Sequence, residues 1–146
     1  MTVSGSVLDG RPLLTGAASG RLLVLDEPLS LWGGLDPESG VVVDRRHPQF
    51  GVNVGGRILA MPFGRGSSSA SSVLAEAIRL ATAPAGILLR RVDEIVVLGA
   101  LVAAELYGVV CPVLVLVDTD YRELHTNADV EIHVDGRVIV RLVALG

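Results

Sequence analysis

Apolar residues along this chain fall into short runs of strand length, broken by Gly, Pro and Asp and interrupted twice by a helical period. Leu22-Leu23-Val24-Leu25 stops at Asp26-Glu27-Pro28, the mark of a strand and its end. Val41-Val42-Val43 leads into Asp44-Arg45-Arg46-His47-Pro48, and Ile58-Leu59-Ala60-Met61 closes at Pro62, which predicts two more strands. From Ala70 the period changes. Ala70, Val73, Leu74, Ala77, Ile78 and Ala81 trace one stripe of an amphipathic helix, with Glu76 and Arg79 on the opposite face. Ser67-Ser68-Ser69 directly before it are N-cap candidates, so a glycine turn joins a strand to a helix start.

Gly86-Ile87-Leu88-Leu89 predicts another buried strand. A second helix runs from Asp93 to Tyr107, with Ile95, Leu98, Val102, Ala103 and Leu106 on one stripe and Gly108 as its stop. Val113 to Val117 reads as a strand ended by Asp118-Thr119-Asp120. Val130, Ile132 and Val134, then Val138, Val140 and Leu142, alternate with polar residues around Asp135-Gly136, which predicts a hairpin with a two-residue type I′ turn. The order predicts one layered α/β domain over residues 1–146, with a mixed, barrel-like sheet and flanking helices. Strand order cannot be read from such a pattern.

Composition narrows the partners. Half of the 146 residues are hydrophobic and only 3% are aromatic, so the core is built from Val, Leu, Ile and Ala. A net charge of −4 argues against nucleic acid or an anionic membrane surface. No apolar run approaches the roughly 18 residues that a bilayer span requires. Met1-Thr2-Val3-Ser4 lacks the features of a signal peptide, and the one cysteine, Cys111, has no internal partner. A reducing cytoplasm is the expected setting. One Cys and three scattered His are a poor basis for holding a metal cluster, so no metal is expected on this chain.

The Gly64-Arg65-Gly66-Ser67-Ser68-Ser69 turn is the most informative local feature. Its glycines let backbone N–H groups approach a ligand, the helix N-terminus adds about half a positive charge, and Arg65 adds a full one. It lacks the Gly-Lys-Ser/Thr ending of a Walker A loop and the third glycine of a dinucleotide fingerprint. Read alone, it is an anion site at a helix start or a serine-rich cap on an ordinary helix.

The string from Ser30 to Asp44, SLWGGLDPESGVVVD, resembles the opening signature of the aconitase X small subunit, or swivel domain, family. Arg46-His47-Pro48, Gly64-Arg65-Gly66-Ser67-Ser68, Ala83-Pro84-Ala85 and Leu98-Gly99-Ala100 resemble it too, and together the matches run in order from about Gly20 to Val117, most of the chain. The resemblance implies a swivelling β/β/α domain that docks on a larger subunit, as a heterodimer or higher assembly. The larger subunit would carry an iron or iron–sulfur centre. It implies a hydro-lyase acting on a small anionic hydroxy acid, either cis-3-hydroxy-L-proline or (R)-5-phosphomevalonate. The arginine-rich, lysine-free composition favours the former, bacterial substrate.

By the same resemblance Ser67 is the catalytic base, with Arg65, Gly66, Ser68, Ser30 and His47 as substrate-binding candidates. Ordinary aconitases continue with arginine where Ser69 stands, so Arg65 is the carboxylate-binding candidate within this chain. A seryl hydroxyl titrates far above a tyrosine's value of about 10, and a helix N-terminus offsets only about one unit of that. The chain by itself should be inactive.

Other polar residues have plainer readings. Arg45 and Arg46 form a cationic cluster beside His47, or a solvated loop. Trp32 reads as a core or interface anchor, Cys111 as packing and His133 as an exposed hairpin residue, while the sequence offers His125 no partner. Asp118 and Asp120 read as a solvated strand end rather than metal ligands. A non-catalytic anion-binding or scaffolding swivel module is the alternative from another class.

Overall fold

The protein, seen here in a computed structural model, is described over residues 2–64 and 67–144. Ten strands and four short or medium helices follow one another along the chain. The strands are β1 (Thr2–Asp9), β2 (Arg11–Leu14), β3 (Ala18–Val24), β4 (Leu35–Asp36), β5 (Val41–Val42), β6 (Ile58–Met61), β7 (Gly86–Leu89), β8 (Val113–Val115), β9 (Asp129–Ile132) and β10 (Arg137–Ala144). The helices are α1 (Leu31–Gly34), α2 (Ser69–Arg79), α3 (Glu94–Tyr107) and α4 (Asp118–Tyr121).

Eight strands form one sheet in the order β1-β10-β9-β3-β6-β7-β8-β2, and β4 pairs with β5 separately. The two edge strands, β1 and β2, are consecutive in the chain with only Gly10 between them. The sheet therefore curls almost closed. Gly10 donates to the Gly136 carbonyl at 2.8 Å, and a Cβ at Gly10 would meet Leu114 Cδ2 at 2.8 Å, so this corner admits only glycine without a shift. β3, β6, β7 and β8 run parallel, and the remaining pairings are antiparallel. The sheet is mixed and barrel-like, as the sequence pattern predicts.

Each central strand is buried on both faces, which is why it reads as an unbroken apolar run. Ile58, Ala60 and Leu88 point into the barrel interior with Leu22, Leu114 and Ile132. Leu59, Met61, Ile87 and Leu89 point the other way, under Leu74, Ile78, Val96 and Ala100 of α2 and α3. The carboxyl ends of four parallel strands thus open on one edge, which leads into α2, α3 and α4.

Four local expectations need correction. The hairpin turn is not type I′, because only Gly136 has positive φ (95°) and β-branched Val134 disfavours that region. Instead Gly136 N–H donates to His133 O, and the left-handed glycine absorbs the extra residue as a bulge. The strand after Pro112 ends at Val115, since Val117 already begins α4. The strand at Val41 stops at Val42 rather than Val43. The serines before α2 do not cap it as expected. Ser68 is the N-cap residue, but its side chain makes no cap hydrogen bond. α3, by contrast, starts and stops as its sequence predicts, with Asp93 capping and Gly108 at φ 68°.

Candidate functional site

β6 ends at Met61, and Pro62-Phe63-Gly64 carries the chain across the carboxyl edge toward α2. Four contacts from the β7–α3 loop hold this stretch. The Arg90 and Arg91 N–H groups both donate to Pro62 O, at 3.1 and 3.0 Å. The Arg91 guanidinium lies 4.5 Å from the Phe63 ring centroid. Asp93 Oδ2 accepts the Gly64 N–H at 2.6 Å, while Asp93 Oδ1 accepts from Ile95 and Val96 at 3.0 and 3.1 Å as the cap of α3. One carboxylate therefore joins a helix start to the turn.

Ser67 follows, exposed, at the entrance of α2. Its carbonyl accepts from Ala70 N–H at 3.0 Å, and the Ser68 carbonyl accepts from Ser71 N–H and Oγ at 3.1 and 2.6 Å. These bonds fix the backbone and leave the Ser67 and Ser68 side chains on the exposed surface. Arg65 and Gly66, both expected to bind substrate, lie outside the described residues.

Leu29 forms a parallel bridge with Gly64, which brings Ser30 alongside the turn. Half-buried Ser30 donates from Oγ to Trp32 O at 3.1 Å. A crevice lined by Leu29, Leu31, Gly64, Ala70, Asp93 and Val96 runs between these elements. Next comes the turn at α1, where Trp32 (φ −71°, ψ 116°) and Gly33 (φ 79°, ψ −13°) have type II turn rather than helical geometry. Trp32 is 62% exposed, which excludes the core role expected for it.

His47 is placed differently from a ligand contact. It is only 6% exposed, its Nε2–H donates to Glu27 O at 3.0 Å, and its Nδ1 accepts Gln49 N–H at 3.0 Å. Both ring nitrogens are engaged within the chain, which assigns the Nε2–H tautomer. The Gln49 side chain donates to Asp26 Oδ2 at 2.8 Å, adding a second tie between the two loops. His47 thus anchors the loop leading to Ser30 rather than reaching the turn. Arg45 and Arg46 are exposed.

The remaining candidates are accounted for locally. Asp118 pairs with Arg90 and with Arg122 at 2.8 Å. Burial pushes the nearby Tyr121 phenol up to about 12, against the pull of Arg90. Cys111 is buried, its thiol donates to Pro84 O at 3.4 Å, and burial pushes it up to about 12. Among the described residues, no three His, Cys, Asp or Glu side chains cluster in a way that could hold a metal ion. No described helix is long and apolar enough to cross a membrane.

The sequence pattern puts the turn between a strand and a helix, as β6 and α2 stand, but gives no sign that Asp93 reaches Gly64. The signal was present only in part. An aspartate before an apolar helical run marks a cap, whereas its second oxygen serves a residue 29 positions earlier.

Comparison with known proteins agrees with this geometry. Residues 7–141 match the family model described as the aconitase X swivel domain. The chain is 54% identical over 106 residues to a cis-3-hydroxy-L-proline dehydratase of Pseudomonas aeruginosa, covering 73% of this chain and 18% of that protein. It is 42% identical over 115 residues to one from Hypocrea jecorina, covering 79% and 19%. A phosphomevalonate dehydratase small subunit of Methanothermobacter thermautotrophicus is 38% identical over 96 residues, covering 66% of this chain and 73% of that one. The chain thus spans under a fifth of the length of the two hydroxyproline dehydratases. Among solved structures, Thermococcus kodakaraensis aconitase X in its holo-form superimposes with a TM-score of 0.81 at 32% identity, covering 92% of this chain and 98% of that one. The chain belongs to the aconitase X swivel-domain family.

Proposed function

We propose that the chain is the swivel component, or small subunit, of an aconitase-X-type dehydratase, with cis-3-hydroxy-L-proline as substrate and Ser67 as the base. The observation that carries this reading is the exposed Ser67, set at the entrance of α2 on the carboxyl edge of four parallel strands. In an open α/β sheet that edge is where ligands bind, and the helix N-terminus favours the anion formed as the hydroxyl is deprotonated.

In this mechanism Ser67 Oγ, as the alkoxide left when its own proton has passed to solvent, removes the proton from the carbon beside the substrate carboxylate and returns to the hydroxyl form. The C–H electron pair forms the double bond as the C–O bond breaks and hydroxide departs. The resemblance assigns Arg65 to the carboxylate and Gly66 to substrate binding, and exposed Ser68 next to Ser67 and Ser30 alongside Gly64 are the further binding candidates. His47 contributes at one remove, by anchoring the loop that carries Ser30. We assign the group that receives the hydroxide to another component, a reading supported by the lack of a three-donor cluster among the described residues. We assign the iron centre to the complementing large component, in the reducing interior of the cell.

The substrate assignment rests on likeness. Relatives at 54% and 42% identity are named for hydroxyproline, and those at 38–40% for phosphomevalonate. Reconstitution with the iron-bearing component under anaerobic conditions tests it. The assembled enzyme should consume cis-3-hydroxy-L-proline and leave (R)-5-phosphomevalonate untouched. The reverse preference would favour the second substrate, and a complex that turns over neither would favour a non-catalytic module.

A further inference from the structure

We infer, resting on the reading of Ser67 as the base, that Asp93 is a positioning residue that sets the reach of the catalytic turn. Ser67 is held on its C-terminal side by the Ala70 N–H bond of α2, and on its N-terminal side only two residues separate it from Gly64. The Gly64 amide is fixed by Asp93 Oδ2 at 2.6 Å, a charge-assisted bond at the short end of its range. Asp93 is itself immobilised, because its other oxygen caps α3 through two backbone bonds.

Gly64 is required by this contact rather than by its dihedral, since its φ is not positive. A Cβ there would collide with Asp93 Oδ2 and lie 3.2 Å from Asp93 Cγ and 3.3 Å from Val96 Cγ2. The turn is pressed against the carboxylate with no space between. An ordinary N-cap needs one acceptor oxygen, which Ser or Asn supplies as well as Asp. Only a carboxylate supplies two acceptors, one for the helix and one for the turn. Asp93→Ser and Asp93→Asn therefore separate the two tasks.

Two readouts apply to the full chain, one free of catalysis. By NMR, the Gly64 amide of Asp93→Ser should exchange with solvent at least about tenfold faster, while the α3 amides keep their protection. In the enzyme reconstituted with the iron-bearing component, kcat should fall about 100-fold with KM nearly unchanged, the effect of a misplaced catalytic group. Gly64→Ala should lower kcat similarly, and the double variant Gly64→Ala/Asp93→Ser should be no worse than Asp93→Ser, because the shorter side chain removes the collision. Unchanged Gly64 exchange in Asp93→Ser, or losses in the double variant that simply multiply, would overturn the inference. A dead Ser67→Ala enzyme beside normal Asp93 variants would overturn the role of Asp93 alone. A fully active Ser67→Ala enzyme would instead remove the reading of the base and, with it, the catalytic purpose of the staple.

Discussion

Gly99 of α3 faces the Ser71 carbonyl of α2 so closely that a Cβ on Gly99 would stand 2.7 Å from that oxygen and 3.1 Å from Leu74 Cβ. The two helices meet backbone to backbone at this point, and Ser71 lies within the first turn that holds Ser67. Gly99→Ala should therefore force α2 outward. Ala gains about 1 kcal/mol of helix propensity over Gly, but overpacking costs about 1–3 kcal/mol, so a net loss is expected. Thermal unfolding should shift downward, and activity in the assembled enzyme should fall with it. An unchanged or raised Tm would show that the helices can part without cost.

His47 makes a second prediction. Replacing it with Ala leaves Glu27 O and Gln49 N–H without their partner in a part-buried setting. Each stranded group costs about 1–3 kcal/mol when buried, so His47→Ala should destabilise the protein by a comparable amount. Hydrogen exchange should accelerate in residues 26–30 and 44–51 ahead of α2 and α3. A loss confined to activity, with the loops still protected, would instead return His47 to direct substrate contact.

Cys111 supplies a prediction about reactivity and pH. Its thiol stands at about 12 in the fold, against 9.0 ordinarily. The folded state therefore holds its proton where the unfolded chain loses it, so this group lowers stability as pH rises from 9 toward 12. At pH 8 the native protein should react with a thiol reagent only as fast as it unfolds. Rapid labelling of the native state would contradict the burial.

Trp32 should report docking. Its 62% exposure, one residue beyond the Leu31 that lines the crevice beside Gly64, places a large apolar surface next to the site. Trp32→Ala should leave the isolated fold intact and weaken association with the proposed large component by about tenfold or more. Its fluorescence should shift blue when the components assemble. Equal affinity of the variant would place the interface elsewhere.

Much of the fold was legible in the apolar pattern, and the exceptions have physical causes. The parallel strands announce themselves because both their faces are buried, as at Ile58–Met61 and Gly86–Leu89. β2 does not, because Arg11-Pro12-Leu13-Leu14 is an edge strand with a proline and no alternation. The hairpin was visible but its turn type was not, because Asp-Gly fits both a type I′ turn and a bulge with one left-handed residue.

The site divides in the same way. The glycine turn and its serines are contiguous and can be read along the chain. The Asp93–Gly64 bond, the His47–Glu27 bond and the Leu29–Gly64 bridge join residues 29, 20 and 35 positions apart. Such pairings are set by strand order, which the pattern does not encode. The Gly99 position shows both sides. A glycine in mid-helix is conspicuous in the sequence, and its reason appears only when α2 is seen lying against it.

The most direct test compares Ser67→Ala with Ser68→Ala in the enzyme reconstituted anaerobically with the proposed large component, reading kcat, substrate binding and complex formation together. Ser67→Ala should lose turnover by about 10²–10⁴-fold, the range of a general base, while complex formation and substrate affinity stay near those of the unaltered protein. Ser68→Ala should retain most of its turnover. Normal turnover by Ser67→Ala, or loss confined to Ser68→Ala, would contradict the assignment of the base.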